Sequence, residues 1–329
     1  MKREGHLMER IATRPNVAAA FHLAARGKRA RPEVRDFAAN LDRELGRLVA
    51  RLERGSYQPG PFRRFTVRDP KVRLIHAAPF ADRVVHHAIM RIAGPRFERG
   101  ASEHSYACRL GRGNHAALQQ AQRNTRRHAA VLHLDMRKYF DSVDHGILSA
   151  LITRRFKDAA FLELLCTIIA AYQTAPGKGL PIGTLCSQVF ANMYLDGLDR
   201  FVGTIPGVAA SVRFMDDVVV WAEQPDDLVD AASRVSVWLA SQRQLTLKGR
   251  PAVRRCCDGF RFLGHRVTRQ SLFPDRRSRR RFRRRFRELD GAREQGLVSE
   301  LEFQRRSDAL LAAVGGRAPW LLAAHGRAG

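Results

Sequence analysis

The 329-residue chain is 45% apolar and carries 58 Lys+Arg against 32 Asp+Glu, a formal net charge of +26. That apolar share supports a sizeable core and excludes a disordered tail, and the charge far exceeds what solubility requires, so a polyanionic partner is expected. Five cysteines, odd in number and with no C-x-x-C pair, indicate neither a disulfide framework nor a zinc site and fit an expected cytoplasmic location; the N-terminus has no apolar signal region and the apolar stretch 159–172 is short and carries Glu163, so neither secretion nor membrane spanning is expected.

Seven of the cations are Lys and the rest Arg, the side chain whose planar fork grips phosphate through paired hydrogen bonds. A GC-rich genome is an alternative source of the Arg:Lys ratio, but not of the net charge.

Residues 9–55 have helical periodicity, with Phe37, Leu41, Leu45 and Leu48 on one face, and end at Gly55 and Pro59-Gly60. Strand-like runs between Phe62 and Ile75 flank Asp69-Pro70, and Ala81–Ile92 follows as a helix. Val131–Leu134 is a short buried-type strand ending in Asp135, after which Ile147, Leu148, Leu151, Ile152 and Phe156 mark a helix. Gly179, Pro181 and Gly183 punctuate a turn, and the spacing of Leu185, Val189, Phe190, Tyr194, Leu198 and Phe201 predicts one long helix. Val212–Phe214 and Val218–Trp221 then form a β-hairpin whose tip is Met215-Asp216-Asp217. The run 276–287, RRSRRRFRRRFR, holds nine Arg with Phe282 and Phe286 four apart, giving a helix with a narrow apolar stripe and a cationic surface.

Two adjacent acids at a hairpin tip repel one another and call for a cation. Taken alone, Asp216-Asp217 would most often be a solvated turn. With Asp135 at a neighbouring strand end, the set makes the hard-oxygen cluster that Mg²⁺ prefers, and two such ions about 4 Å apart serve in-line nucleotidyl transfer.

These residues carry a resemblance. HLDMRKYFDSVDH (133–145), GLPIGTLCSQVFANMYL (179–195) and RFMDDVVV (213–220) resemble the palm motifs of bacterial reverse transcriptases. KVRLIHAAPFADRVVHHAI (71–89) and SYACRLGRGNHAAL (105–118) resemble fingers and template-contact motifs, and FRFLGHRV (260–267) resembles the strand that closes the palm. Phe214 stands where the family usually has Tyr.

The resemblance implies an α+β right-hand polymerase fold with an antiparallel-sheet palm, mostly helical fingers and an all-helical thumb. It divides the chain into an N-terminal helical extension (1–60), fingers (61–130), a palm (131–267) with inserted helices at about 146–180, and a basic thumb (268–329). Asp135, Asp216 and Asp217 are the expected catalytic residues and ligands of two Mg²⁺, with Mn²⁺ as the other candidate. Lys71 and Arg73 would hold the incoming dNTP, and Phe140 would block a ribose 2′-hydroxyl. Lys248 is open between two readings, proton donor to pyrophosphate and plain surface lysine. Arg276, Arg277, Arg280, Arg283, Arg284 and Arg287 would track duplex phosphates, with a solvated helix face as the alternative.

One departure narrows the subfamily. Most bacterial relatives have Gln-Gly and then Ser-Pro in the second palm motif, whereas this chain has Ile182-Gly183 and Ser187-Gln188. That pairing resembles the reverse transcriptases of diversity-generating retroelements, which copy a template-repeat RNA and miscopy its adenines. The expected partners are therefore template RNA, the RNA–cDNA duplex, dNTPs and a small basic accessory protein of the accessory variability determinant type. Ile182, Gly183 and Gln188 join the expected dNTP contacts. From the short remainder after the Arg-rich helix, RNase H, integrase and endonuclease activities are expected to come from other proteins. Two other readings stay open: a group II intron-like or phage-defence reverse transcriptase with another RNA, and a non-catalytic RNA-binding protein on a polymerase scaffold.

Overall fold

A computed structural model describes residues 3–68 and 72–313. The chain opens with four helices, α1 (Met8–Ile11), α2 (Arg14–Ala25), α3 (Pro32–Ala39) and α4 (Leu41–Glu53). Pro15 lies in the first turn of α2, where Thr13 accepts a hydrogen bond from the Asn16 amide, so a turn that lacks internal acceptors for its N–H groups is satisfied locally. Asp158 ties this lead-in to the body: its carboxylate accepts from the Leu7 and Met8 amides at 2.7 and 2.9 Å.

The hairpin β1 (Arg63–Arg68) and β2 (Val72–Ala77) precedes α5 (Phe80–Arg99), α6 (Asn114–Arg127) and β3 (Ala130–Leu134). Four helices follow with their turns: α7 (Tyr139–Ser142), α8 (His145–Thr153), α9 (Ala159–Ala170) and α10 (Leu185–Tyr194). Asp144, Asp158 and Thr184 cap the last three, each accepting from an amide three residues on. The helix expected over 185–201 is broken. Gly197, at φ +96°, separates α10 from α11 (Leu198–Gly203), because glycine alone adopts that backbone freely. A Cβ there would lie 3.4 Å from Trp238, an ordinary contact, so it is the backbone conformation that selects glycine.

The strands β4 (Val208–Phe214) and β5 (Asp217–Ala222), the helix α12 (Pro225–Arg243) and β6 (Val253–Arg255) complete an antiparallel sheet in the order β4-β5-β3-β6. Alternation along β3 and β5 puts Leu132, Leu134, Val218 and Val220 into the main core, and Val131, Val219 and Trp221 into a second cluster with Val212 and Phe260. A sheet covered on both faces explains the near-continuous apolar run of β3.

A separate three-stranded sheet holds β7 (Phe260–Phe262), β8 (His265–Val267) and β9 (Leu272–Pro274). FRFLGHRV is thus a hairpin packed on the palm sheet, and β6 is the strand that closes that sheet; three residues at β6 with a mostly exposed pattern gave no periodicity to read. β9 lies inside the stretch expected to be helical throughout. The chain continues as α13 (Arg276–Glu294) and α14 (Glu300–Ala313), with Phe282 buried and stacked on Phe286 at 5.8 Å. Among the described residues, no helix is long and apolar enough to cross a membrane.

Candidate active site

The sheet register builds the acidic site. β3 pairs with β5 so that His133 faces Val219 and Leu134 faces Val218; one further step sets Asp135, at the end of β3, beside Asp217, the first residue of β5. Phe214 pairs with Asp217, which leaves Met215-Asp216 as a two-residue turn. Met215 lies at φ +55°, a left-handed conformation that two-residue hairpins demand and that costs a non-glycine residue roughly 1 kcal/mol or more.

A buried brace holds this turn. Arg213 is 1% exposed and grips Asp199 through two hydrogen bonds of 2.8 Å. The same guanidinium donates to Asn192 Oδ1 at 2.9 Å and to the Met215 carbonyl at 3.3 Å. Asn192 in turn donates to the Ala107 carbonyl, and the Tyr106 amide donates to the Arg213 carbonyl. The segment expected to contact template is thereby tied to the back of the acidic hairpin.

Asp135, Asp216 and Asp217 line one cavity of about 960 Å³ with Arg73, Phe140, Ile182, Gln188 and Lys248. Burial first, and then the neighbouring charges of Asp217 and Asp135 against the opposing Arg73, together push the Asp216 carboxyl up to about 6. This mutual repulsion is the electrostatic signature of a site built for added positive charge. Lys248 Nζ donates to Asp135 Oδ2 at 3.1 Å, and this hydrogen bond and charge raise the Lys248 pKa. His133 Nε2 lies 3.3 Å from Asp217 Oδ1.

Among the described residues, no three His, Cys, Asp or Glu side chains form a ready-made metal cage. The donor set nevertheless fits Mg²⁺, which binds through few carboxylates and fills its shell with water and substrate phosphates.

Every described residue expected to meet dNTP lines this cavity except Gly183, which serves a neighbouring purpose. It sits at φ +118°, and a Cβ there would lie 2.9 Å from Ile75 Cγ2, so the turn can close on β2 only with glycine. The His76 amide donates to the Ile182 carbonyl at 3.0 Å and fixes this approach. Lys71 lies outside the described residues. The α13 arginines stand apart from the catalytic cavity: Arg276 lines a second cavity of about 990 Å³ with His133, Arg254, Arg261, Arg266 and Arg279, while Arg277, Arg280, Arg283, Arg284 and Arg287 are exposed.

Sequence reasoning missed His133, which stood in an apolar run, and the brace of Arg213, Asp199 and Asn192. It left Lys248 undecided because that lysine is placed by backbone pairing: the Arg137 amide donates to Thr246 and the Lys248 amide to Asp135, at 2.9 and 2.8 Å.

The family described as Reverse transcriptase (RNA-dependent DNA polymerase) matches residues 68–267, a stretch that contains all three acids. The chain belongs to the reverse transcriptase family. This reverse transcriptase is 31% identical over 177 residues to Protein YkfC of Escherichia coli strain K12, covering 50% of the chain and 46% of that protein. It is 26% identical over 170 residues to the group II intron-encoded protein LtrA of Lactococcus lactis subsp. cremoris, covering 49% of the chain and 28% of LtrA. The matches thus span less than half the length of these curated relatives. In fold, the reverse transcriptase is similar to telomerase from Candida tropicalis in complex with a fragment of telomeric RNA, with a TM-score of 0.50 at 11% identity over 77% of this chain and 52% of that one. Helices set around an antiparallel palm sheet fit the expected right-hand fold.

Proposed function

We propose that this protein is an RNA-directed DNA polymerase that makes cDNA for mutagenic retrohoming of a diversity-generating retroelement. The observation that carries the polymerase reading is the convergence of Asp135, Asp216 and Asp217 on one cavity with an arginine, a lysine and an aromatic ring.

Asp135, Asp216 and Asp217 would hold two Mg²⁺, or Mn²⁺, which when bound activate the primer 3′-oxygen and neutralise the leaving pyrophosphate. Arg73, on the face of β2 that meets the cavity, holds triphosphate oxygens by charge-assisted hydrogen bonds; Lys71, two residues earlier in the sequence, is proposed for the same role. Lys248, drawn to Asp135, would give a proton to departing pyrophosphate. Phe140 closes the sugar side of the cavity. Residues 1–60, 61–130, 131–267 and 268–329 would serve as extension, fingers, palm and thumb. Template RNA, the RNA–cDNA duplex and a small basic accessory protein are the proposed partners, in a bacterial cytoplasm.

The retroelement reading rests on Ile182 and Gln188, which both line the cavity. A glutamine at 182 could hydrogen-bond near the nascent pair and penalise misfit. Isoleucine offers contact alone, which weakens discrimination by about 1–3 kcal/mol. Similarity to LtrA favours a second reading, a group II intron-like enzyme acting on another RNA.

Primer extension on an adenine-containing RNA template, followed by cDNA sequencing, tests both levels. The wild-type protein extends the primer and Asp216→Asn does not; Ile182→Gln extends it with fewer errors opposite adenine. Equal extension by Asp216→Asn would refute the catalytic assignment, and unchanged adenine errors in Ile182→Gln would remove the link to mutagenesis.

A further inference from the structure

The hairpin of β1 and β2 has two faces, and the catalytic cavity uses only one. Arg73 lines that cavity and Ile75 meets Gly183, so residues 73 and 75 point inward. His76 and its cross-strand partner Arg64 point the other way, as does Phe62 two residues before Arg64. There they meet Tyr172, just beyond the C-terminal end of α9, across a cavity of about 700 Å³ also lined by Gln58 and Gln173. That size lies within the usual range for small-ligand sites.

The three rings form a corner, not a stack. His76 and Tyr172 lie 4.6 Å apart at 62°, Phe62 and Tyr172 5.9 Å apart at 84°, and Phe62 and His76 6.3 Å apart at 89°. Phe62 and Tyr172 are each only half-buried, so ring surface remains for a further planar group. His76 is 6% exposed and its Nδ1 has no hydrogen-bond partner among the described residues; burial lowers its pKa. A buried polar atom left without a partner is disfavoured, so a ligand that bonds to His76 Nδ1 would gain by the contact.

Planar aromatic surface, one guanidinium and two amide side chains match the chemistry that recognises an unstacked base and its phosphate. The outer face continues along β2 with Leu74 and Val72, 47% and 73% exposed, and Arg64 and Arg68 lie on the paired strand. Only the thickness of β2 separates this surface from the catalytic cavity, since the His76 amide bonds to Ile182, a residue of that cavity. We infer that the Phe62–His76–Tyr172 corner holds an unpaired base of the single-stranded RNA template outside the catalytic cavity. The identity of the strand as template rests on the polymerase reading; the base site does not.

The test uses the full chain and fluorescence anisotropy, without dNTP, on RNA–DNA hybrids that are blunt or carry a single-stranded 5′ RNA overhang. The wild-type protein binds the overhang hybrid more tightly. Tyr172→Ala loses about five- to a hundred-fold of that overhang-dependent affinity, the usual effect of removing one stacking ring. Tyr172→Phe keeps it, and blunt-hybrid affinity is the same in all three. An overhang that adds nothing to wild-type binding, or a Tyr172→Ala loss equal on both hybrids, would overturn the base site. Displacement by free adenosine monophosphate, with no overhang preference, would reassign the cavity to a mononucleotide and overturn the RNA assignment. Because no nucleotide is added, a failure here is distinct from a failure of primer extension.

Discussion

On the proposed function, Phe140 is the ring that would set the choice between ribo- and deoxyribonucleotides. It is half-buried, packs at 5.6 Å against the buried Tyr139 and lines the catalytic cavity. Tyr139 is itself pinned by its hydroxyl, which donates to the Ala191 carbonyl, so Phe140 has little freedom to swing aside. Truncation to alanine opens space where a 2′-hydroxyl would sit. Phe140→Ala should therefore raise kcat/KM for ribonucleotides relative to deoxyribonucleotides by about 10- to 200-fold, the range that steric discrimination in a pocket supplies. Single-nucleotide incorporation with paired rNTP and dNTP substrates reads this ratio directly, and an unchanged ratio places the gate elsewhere. At this scale the acids were legible in the sequence because their motifs are contiguous. Lys248 was not, since what brings it to Asp135 is a backbone pairing formed more than a hundred positions away in the chain.

At the scale of elements, the acidic hairpin depends on the buried ion pair behind it. The Arg213 and Asp199 side chains are 1% and 2% exposed, and losing one partner leaves a charge stranded in the core. Asp199→Leu should destabilise the fold by about 3–5 kcal/mol, read as a lower denaturant midpoint. The double variant Arg213→Met/Asp199→Leu should recover much of that loss, and its failure to do so would mean that the bonds to Asn192 and Met215 matter more than the charge. The helix α5 carries a second liability. His86 is 4% exposed, has a buried Nδ1 without a partner, and its pKa is pushed down to about 4 by burial and by neighbouring His87. The unfolded chain binds that proton near the ordinary histidine value, so stability is full above about pH 6.5 and falls as pH drops toward 4, by about 3 kcal/mol in all. Asp82, one turn earlier on α5, has a raised pKa from burial and works against this trend. His86→Leu should flatten the acid decline in a pH series of denaturation curves; an unaltered slope would assign the decline to other groups. Neither feature is legible in one dimension, because a buried histidine in a helix and a paired arginine in a strand look the same there as their exposed counterparts. The break at Gly197 was missed for a related reason: the apolar spacing carries across it, and only the left-handed backbone reveals it.

Across the whole molecule, the net charge of +26 is not spread evenly. The cationic face of α13 and the second cavity, with Arg254, Arg261, Arg266, Arg276 and Arg279 around the exposed Phe273, lie beyond the sheet that holds the acids. Composition leads one to expect a polyanionic partner, and on the proposed function α13, which follows the β7–β9 sheet, would track the duplex leaving the catalytic cavity. If about eight phosphates are neutralised, the log–log dependence of hybrid affinity on salt should have a slope of roughly −6 to −7. Arg277 and Arg280 are exposed on α13, so Arg277→Gln/Arg280→Gln should make the slope shallower by about 1.4–1.8, the contribution of two counterion-releasing contacts. Because these residues lie outside the catalytic cavity, the rate of a single turnover at saturating hybrid should stay unchanged in that variant. A titration of hybrid affinity against salt decides the matter: a wild-type slope near −2, or no change in the double variant, would make the arginine face a solvated or protein-facing surface instead of a phosphate track.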